Sequence, residues 1–180
     1  MTLISDLKSI CKDLKGTLIT IGLSYPTVES VLDKNKNITN GYVLEFSNKK
    51  RGKSKEKGVT KNKRISIKKL RKTFHKKSVD TIICYYQDIE KYMRFFVKDS
   101  VYLNCGKLYI YGKNSEFVIE DLESYYNRYD TKIVITKYDD EFLMEIDNSK
   151  SKNNWFKDKL YKIKDTVIYF VNIIGDIMMG

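Results

Sequence analysis

The chain has few of the residues that build metal sites, disulfides and hydrolytic centres. Its 180 residues include one histidine, His75, and three cysteines, Cys11, Cys84 and Cys105. The cysteines are far apart, odd in number and without CxxC spacing, so neither a zinc site nor a disulfide framework is predicted. His75 lies in a run of lysines with no nearby carboxylate to orient it, and no Ser-His-Asp set or Walker-type phosphate loop is present. We therefore expect no metal cofactor.

The N-terminal sequence lacks the charged, then apolar, then small-residue pattern of a secretory leader. Its opening stretch, MTLISDLKSICKDLK, already carries Asp6, Lys8, Lys12 and Asp13. We therefore expect a cytoplasmic protein. The length of 180 residues and the hydrophobic content of 42% fit one domain with a single core.

Acidic residues are almost absent from one segment, between Lys49 and Lys77. This segment holds 15 of the 34 Lys and Arg residues of the chain and a single acid, Glu56. Its charge should attract polyanions, either nucleic acid or an anionic membrane surface, although a solvated loop in a lysine-rich protein is the alternative. The part from 48 to 64 has almost no apolar residues, so we expect a mobile loop there. The residues expected to contact a polyanion are Lys49, Lys50, Arg51, Lys53, Lys55, Lys57, Lys61, Lys63 and Arg64.

The hydrophobic pattern predicts alternating helices and strands. Apolar residues spaced by three and four predict a first helix from Leu3 to Leu14, which Gly16 would end. Short apolar runs predict strands, and stretches with helical spacing follow most of them. Strands are predicted at 17–23, 41–46, 64–70, 79–86 and 106–112, helices at 27–35, 87–103 and 115–130, and a β-hairpin at 131–147.

Repeated strand-helix units predict a mostly parallel sheet with helices on both faces. The final hairpin adds an antiparallel strand to that sheet. We therefore expect a three-layer α/β fold of the Rossmann-like type, with about seven strands and additional N- and C-terminal helices. Residues 1–150 would form this domain, and residues 151–180 would form the C-terminal helix.

The C-terminal residues 151–180 change character along their length. They begin with an amphipathic pattern through Trp155, Leu160 and Ile163 and become almost wholly apolar at 166–180. The apolar stretch is shorter than the roughly 20 residues that span a bilayer. We expect this segment to pack on its own sheet or on that of a sister subunit. A protein partner or peripheral contact with a membrane is the alternative.

Four short motifs, in this order, resemble those of class I S-adenosylmethionine-dependent methyltransferases between about Lys15 and Asn148. LITIGLSYP stands where that family has a strand and a glycine-rich turn, and YVLEF where its second strand ends in an acid that binds the ribose. DTIICYYQD is similar to the fourth strand, which begins with an acid, here Asp80, and ends at the substrate. CGKLYIYG is similar to the turn before the fifth strand. The resemblance implies S-adenosylmethionine as a cofactor held by Gly22, Ser24 and Glu45, and a substrate beside Tyr85 and Tyr86.

The turn after the first strand departs from the pattern of that family. Ser24, Tyr25 and Pro26 follow Gly22 where further glycines would let the backbone approach the cofactor. Two functions are therefore predicted. The first is a methyltransferase-like binding or scaffold module that has lost or weakened cofactor binding and attracts polyanions through its basic loop. The alternative is an active S-adenosylmethionine-dependent methyltransferase acting on nucleic acid.

Each candidate residue also has an ordinary structural explanation. Glu45 could be a solvated acid at a strand end or a partner of the basic loop. Tyr85 and Tyr86 could be packing residues, since the chain has 14 tyrosines. A tyrosine at the carboxyl end of a central strand could also stack on a base or an adenine ring.

Overall fold

A single mixed sheet organises the protein. The computed structural model describes residues 2–22, 34–46, 56–57, 60–65 and 70–151. Within these residues eight strands form one sheet. In chain order they are β1 (Gly16–Ile21), β2 (Ile38–Phe46), β3 (Glu56–Lys57), β4 (Thr60–Ile65), β5 (Val79–Tyr85), β6 (Asn104–Lys113), β7 (Lys132–Lys137) and β8 (Glu141–Asp147). Across the sheet the order is β3-β4-β2-β1-β5-β6-β8-β7.

The inner strands of the sheet are parallel. β1 pairs with β2 and β5, β2 pairs with β4, and β5 pairs with β6, all in parallel. The hairpin of β7 and β8 folds back so that β8 lies antiparallel between β6 and β7. This arrangement confirms a Rossmann-like α/β fold, and the count of about seven strands becomes eight with the two-residue β3. The strand order reverses between β1 and β5, which is the kind of position where ligands of such sheets bind.

Helices cover both faces of the sheet. Those that the structure describes are α1 (Leu3–Asp13), α2 (Leu70–Thr73), α3 (Tyr86–Ile89), α4 (Met93–Leu103) and α5 (Glu116–Asn127), with a 3₁₀ turn at Glu90–Tyr92 between α3 and α4. A capping box closes the first turn of α1, because Thr2 and Ser5 bond to each other's backbone and side-chain groups. The helix predicted at the N-terminus is therefore confirmed.

Strand β1 is buried on both faces, as its short run of apolar and β-branched residues predicts. Leu18 belongs to the core cluster that contains Leu3 and Leu14, which lie at the start and just past the end of α1. Ile19 and Ile21 belong to the larger cluster on the opposite face. The strand therefore lies at the centre of the fold.

Helices α4 and α5 fill the opposite face of the sheet. Phe96 of α4 and Leu122 and Tyr126 of α5 are fully buried there. The Oγ of Ser100 lies 2.9 Å from the hydroxyl of Tyr126, so a buried hydrogen bond joins the two helices. These contacts hold both helices against β5 and β6, whose carboxyl ends form part of the site described below.

Two predictions about the basic segment are wrong where the structure describes it. The strand predicted at 64–70 lies earlier, at Thr60–Ile65, because this stretch pairs in register with β2, and Leu70 begins α2 instead. The mobile loop predicted at 48–64 is wrong for residues 56–57 and 60–64, which lie in β3 and β4. Pairing of β4 with β2 and of β3 with β4 gives the backbone of these residues hydrogen-bond partners, although the segment has few apolar side chains to bury.

Gly16 has a different role from the one predicted. Helix α1 already ends at Asp13, and Leu14 follows in an extended conformation. Gly16 has a φ of +73° and is the first residue of β1. The left-handed conformation that favours glycine therefore serves the start of a strand, not the end of a helix.

Two predicted helices lie mostly or wholly in parts of the chain that the structure does not describe. The helix at 27–35 lies mostly outside the described residues, and the segment from 152 to 180 lies wholly outside them. Among the helices that the structure describes, none is both long and apolar enough to cross a membrane.

Candidate functional site

The carboxyl ends of the parallel strands meet at one edge of the sheet, which we call the carboxyl edge. Gly22 follows β1 there, Tyr85 ends β5 and Lys113 ends β6. Ligands of open α/β sheets bind in the crevice outside this edge. The predicted cofactor and substrate residues that the structure describes lie at this edge: Gly22, Glu45, Tyr85 and Tyr86.

Gly22 is packed against the chain's own side chains. It is exposed and has a φ of +78°, which favours glycine. A β-carbon added to it would overlap the carboxylate of Asp88 and would lie 2.9 Å from the β-carbon of Tyr85. The turn and the close approach of α3 therefore already explain why a glycine stands at this position.

Tyr85 and Tyr86 point to different parts of the molecule. The Tyr85 side chain is half-buried, and its ring centroid lies 5.3 Å from that of Tyr111. Tyr86 is only 8% exposed and belongs to the core, where its ring lies 6.4 Å from that of Phe142. Burial raises the pKa of both Tyr86 and Tyr111, so these hydroxyls stay neutral at physiological pH. Tyr85 is thus the member of the pair that a ligand could reach.

An open cleft of about 1110 Å³ lies beside Tyr85 at the carboxyl edge. Its walls are the first turn of α1, the ends of β5 and β6 and the turn between β7 and β8. The charged side chains around it are mixed in sign: Lys113, Lys137, Asp139, Asp140 and Glu141. The cleft is large enough for a small polar or aromatic molecule.

A hydrogen bond joins two walls of this cleft. The hydroxyl of Tyr138, in the turn between β7 and β8, donates to Oδ2 of Asp6 in α1 over 2.5 Å. Burial and this bond to Asp6 raise the pKa of Tyr138 to about 12. The bond fixes the start of α1 over the end of the sheet. No local sequence pattern indicates it, since the two residues are 132 positions apart.

The other cofactor residues predicted from the sequence are only partly described. Ser24 lies outside the described residues. Glu45 is in β2, paired in register with Arg64 of β4, and its side chain lies outside the described part. Gly22 directly follows β1 and Glu45 is the next-to-last residue of β2, so their backbones lie on adjacent parallel strands at the carboxyl edge.

The nine predicted polyanion-binding residues divide into two groups. Four of them lie in β3 or β4 at one side of the sheet: Lys57, Lys61, Lys63 and Arg64. The other five lie outside the described residues: Lys49, Lys50, Arg51, Lys53 and Lys55. The basic segment is therefore anchored to the sheet through β4, next to β2.

The parallel strands begin at the amino edge of the sheet, which lies opposite the carboxyl edge. The amino edge holds polar residues that serve the fold. Oδ2 of Asp80 accepts a hydrogen bond from the backbone N–H of Thr17 over 2.7 Å. Nδ2 of the fully buried Asn104 donates to three backbone carbonyls, those of Val79, Asp80 and Lys107. The acid that begins the fourth strand in the resemblance, Asp80, is here a partner of the backbone.

Lys77 is a structural residue of the amino edge that the sequence did not indicate. Its φ is +53°, and its Nζ donates to the carbonyls of Asn104 and Asn148 and to the hydroxyl of Ser151. Partial burial lowers the pKa of this ammonium group. The lysine fixes the chain where it leaves β8. Because it belongs to a run of cations, its sequence pattern predicts a solvated residue instead.

The remaining titratable residues form no further centre in the described part of the chain. His75 is exposed, and its carbonyl accepts a hydrogen bond from the hydroxyl of Ser78. Among the described residues, no three His, Cys, Asp or Glu side chains are close enough together to hold a metal ion. Burial raises the pKa of Cys11, Cys84 and Cys105, which keeps these thiols protonated.

Several solved structures are similar to this chain. A protein described as a ribosomal RNA methyltransferase from Plasmodium falciparum has a TM-score of 0.54 at 15% identity, over 83% of this chain and 95% of that one. TrmK of M. capricolum, in complex with S-adenosyl-homocysteine, has a TM-score of 0.55 at 13% identity, over 84% and 70%. Spermidine synthase from Thermotoga maritima has a TM-score of 0.51 at 13% identity, over 77% and 55%.

These likenesses show the fold and leave the reaction open. No protein-family model and no curated protein matches the sequence. Identities of 15% or less concern the fold alone, and one of the three structures is named for a reaction other than methylation. The strand order, the antiparallel final hairpin and these structures together show that the chain has the methyltransferase-like Rossmann fold that its motifs predicted.

Proposed function

We propose that this protein is a methyltransferase-like binding module in which S-adenosylmethionine binding is lost or weakened. The packing of Gly22 carries the proposal. A glycine in a cofactor turn leaves room for the ligand where other residues have a side chain. Here the carboxylate of Asp88 and the β-carbon of Tyr85 take up that room.

The sequence after Gly22 supports the same conclusion. Ser24, Tyr25 and Pro26 replace the further glycines of the family pattern, and Pro26 has no backbone N–H to donate. Each of these changes adds bulk to the turn or removes a donor from it. At this turn the chain therefore does not fit the cofactor that its fold implies.

Calorimetric titration of the whole chain with S-adenosyl-homocysteine tests this proposal. We expect no saturable heat up to about 1 mM ligand, which corresponds to a binding free energy weaker than about −4 kcal/mol. Cooperative thermal unfolding of the same sample shows that the protein is folded. A dissociation constant in the micromolar range would contradict the proposal.

The partner of the module is, we infer, a nucleic acid bound by the basic segment. Because β4 pairs with β2 in register, it fixes the backbone positions of Lys61, Lys63 and Arg64 at one side of the sheet. Cations at fixed positions lose less conformational entropy when they contact phosphates than cations on a free chain do. The rest of the segment, from Lys49 to Lys57, precedes or forms the adjoining β3 and adds six further cations.

The salt dependence of binding to a single-stranded RNA oligonucleotide tests the role of the basic segment. Replacing Lys49, Lys50, Arg51 and Lys53 by serine should reduce the slope of log affinity against log salt by about 0.7 for each phosphate that the variant no longer binds. The matched control removes four exposed lysines elsewhere: Lys8, Lys12, Lys91 and Lys132. Equal effects of the two variants would mean that only net charge matters, and would remove the segment from the proposal.

A second candidate function is methyl transfer to a nucleic acid, and the cleft at Tyr85 favours it. The Tyr85 ring is half-buried on the wall of the cleft and is supported by Tyr111, so it offers a surface on which a base could stack. For this function Asp88 would have to move away from Gly22. Asp88 is exposed, and its carboxylate is the far end of a flexible side chain, so such movement is sterically simple.

Transfer of a labelled methyl group from S-adenosylmethionine to RNA distinguishes the two functions. If the second is right, the whole chain labels RNA, Tyr85→Ala loses most of the activity and Tyr85→Phe keeps it, because stacking needs the ring alone. The absence of any labelling, together with intact RNA binding, supports the binding module.

A further inference from the structure

The side of α4 that is opposite its buried side carries aromatic rings and a cation together. Phe96 and Val101 lie on the buried side of the helix. Phe95 is 55% exposed, and it is followed by Lys98 and Tyr102, which are both half-buried. Residues spaced by three and four lie on one side of a helix, so these three side chains share one side, which we call the outer side of α4.

The exposed charge of α4 is positive, unlike that of the neighbouring helix α5. Asp99 is the one acid in the sequence of α4, and it is buried and paired with an arginine of α2. The other charged residues of α4 are Arg94, which is exposed, and Lys98. Helix α5 also exposes a phenylalanine, Phe117, but its sequence contains no cation. The acids of α5 are Glu116, Glu120, Asp121 and Glu123. Phe95 and Phe117 are therefore two exposed rings in surroundings of opposite charge.

A stacked pair extends the outer side of α4 towards α2. The guanidinium of Arg71 lies 4.5 Å from the centroid of the Tyr102 ring. Its Nε donates to Asp99, and its Nη2 donates to the carbonyl of Lys98 over 3.0 Å, so the guanidinium is held in one orientation. Because Asp99 offsets the charge of Arg71, the pair contributes a flat surface more than it contributes net charge.

Arg94, the residue before Phe95, is held by α5. Its Nε donates to the hydroxyl of Tyr125 over 2.9 Å. The guanidinium of Arg128, just past the end of α5, lies 4.8 Å from the centroid of the same ring. The tyrosine thus brings together cations from two helices. Cations that are already held in place lose less conformational entropy when they bind phosphates.

The outer side of α4 lies near the strand that anchors the basic segment. Arg71 is six positions after Ile65, the last residue of β4, so the chain between them spans about 22 Å or less. Proteins that bind single-stranded nucleic acid combine a positively charged surface with aromatic rings on which bases stack. In a duplex the bases stack on each other, so their faces are not accessible to a ring. An exposed phenylalanine between Arg94 and Lys98 is therefore complementary to unpaired bases joined by phosphates.

We propose that the outer side of α4 binds single-stranded nucleic acid. An unpaired base stacks on Phe95, Arg94 and Lys98 bind the neighbouring phosphates, and the stacked pair of Arg71 and Tyr102 offers a second flat surface. This inference rests on the proposed function, because it adds a base-stacking contact to the nucleic acid that the basic segment binds. The basic segment then supplies most of the charge, and α4 supplies the preference for unpaired bases.

The affinities of the whole chain for a single-stranded RNA oligonucleotide and for an abasic oligonucleotide of the same length test the stacking. Phe95→Ala should weaken binding to the RNA by about five- to ten-fold and leave binding to the abasic strand unchanged, because that strand has phosphates but no bases. Phe95→Tyr should keep the affinity of the unmodified protein. Phe117→Ala, the matched control on α5, should change neither affinity. An unchanged RNA affinity of Phe95→Ala, or an equal loss for both oligonucleotides, would overturn the proposal.

The same measurements separate this proposal from the proposed function. If the unmodified protein binds no RNA, both are wrong. If the four-serine variant of the basic segment loses RNA affinity and Phe95→Ala does not, only the contact at α4 is wrong. Binding to vesicles of phosphatidylserine and phosphatidylcholine is measured in parallel. A loss of vesicle binding in Phe95→Ala with RNA affinity intact would assign the outer side of α4 to a membrane and overturn the proposal.

Discussion

The two edges of the sheet use polar residues in opposite ways. At the amino edge, Asn104 and Asp80 turn inward and bond to the backbone, and Asn104 is fully buried. At the carboxyl edge, Asp88 and the charged residues around the cleft face solvent. Polar groups that complete the backbone hydrogen bonding stabilise the fold, while exposed ones remain available to a ligand. In this sheet, polar residues at the start of the parallel strands therefore serve the fold, whereas those just past the ends of the strands remain accessible.

The largest contrast should come from the two asparagines at the ends of β6. Asn104→Ala removes the side-chain donor to three buried or partly buried carbonyls, so we expect a loss of about 2–4 kcal/mol of unfolding free energy. Asn114→Ala, at the other end, removes an exposed side chain with one long hydrogen bond of 3.5 Å and should cost less than about 0.5 kcal/mol. Urea unfolding midpoints measure both, and similar losses would break the comparison.

The two left-handed glycines at the ends of β1 offer a smaller contrast. Gly16→Ala would displace the Asp80 carboxylate from the N–H of Thr17, so we expect a loss of about 2–3 kcal/mol. Gly22→Ala would displace the exposed Asp88 and crowd the β-carbon of Tyr85, and we expect a smaller loss of about 1–2 kcal/mol, mainly from the backbone conformation. Thermal unfolding measures the difference. A larger cost at Gly22 would show that the carboxyl edge is as rigidly packed as the amino edge.

The smallest effect concerns the bond between Tyr138 and Asp6 and is visible only in alkali. The ordinary pKa of tyrosine is 10, and burial together with Asp6 raises that of Tyr138 to about 12 in the folded protein. The unfolded chain therefore loses this proton first. The contribution of the group is fully present below pH 10 and is lost as the pH rises from 10 to 12.

Tyr138→Phe should therefore remove part of the alkaline loss of stability. Because the side chain is partly exposed, we expect a difference of about 1 kcal/mol between the pH dependences of the two proteins. Denaturant unfolding at pH 9 and pH 11 measures it. Parallel pH profiles of the variant and the unmodified protein would show that the two walls of the cleft are not joined by this bond in solution.

The architecture could be predicted from local sequence pattern. The apolar run of β1 indicated a buried strand, and its residues are buried on both faces. The alternation at 131–147 indicated a hairpin, which is present as β7 and β8. Such patterns reflect burial within single elements, and they determine most of this fold.

The residues that escaped prediction depend on contacts between distant parts of the chain. β4 forms because it pairs with β2, which its lysine-rich sequence does not reveal. Lys77 looks like a solvated cation in the sequence, yet it bonds to Asn148 and Ser151, more than 70 positions away. Tyr85 and Tyr86 were indistinguishable in the sequence, because which of two adjacent residues faces the core depends on the neighbouring elements.

The amide resonance of Gly22 tests the central claim most directly. Its N–H lies at the turn where the resemblance in sequence motifs implies a cofactor, and Gly22 is packed beside Asp88 and Tyr85. In ¹H–¹⁵N spectra of the labelled whole chain, we expect this resonance to stay unchanged as S-adenosyl-homocysteine is added to about 1 mM, consistent with a binding free energy weaker than about −4 kcal/mol. A saturating shift of Gly22 together with Asp88 would show that the turn binds the cofactor, and would contradict the claim that the chain itself fills this position.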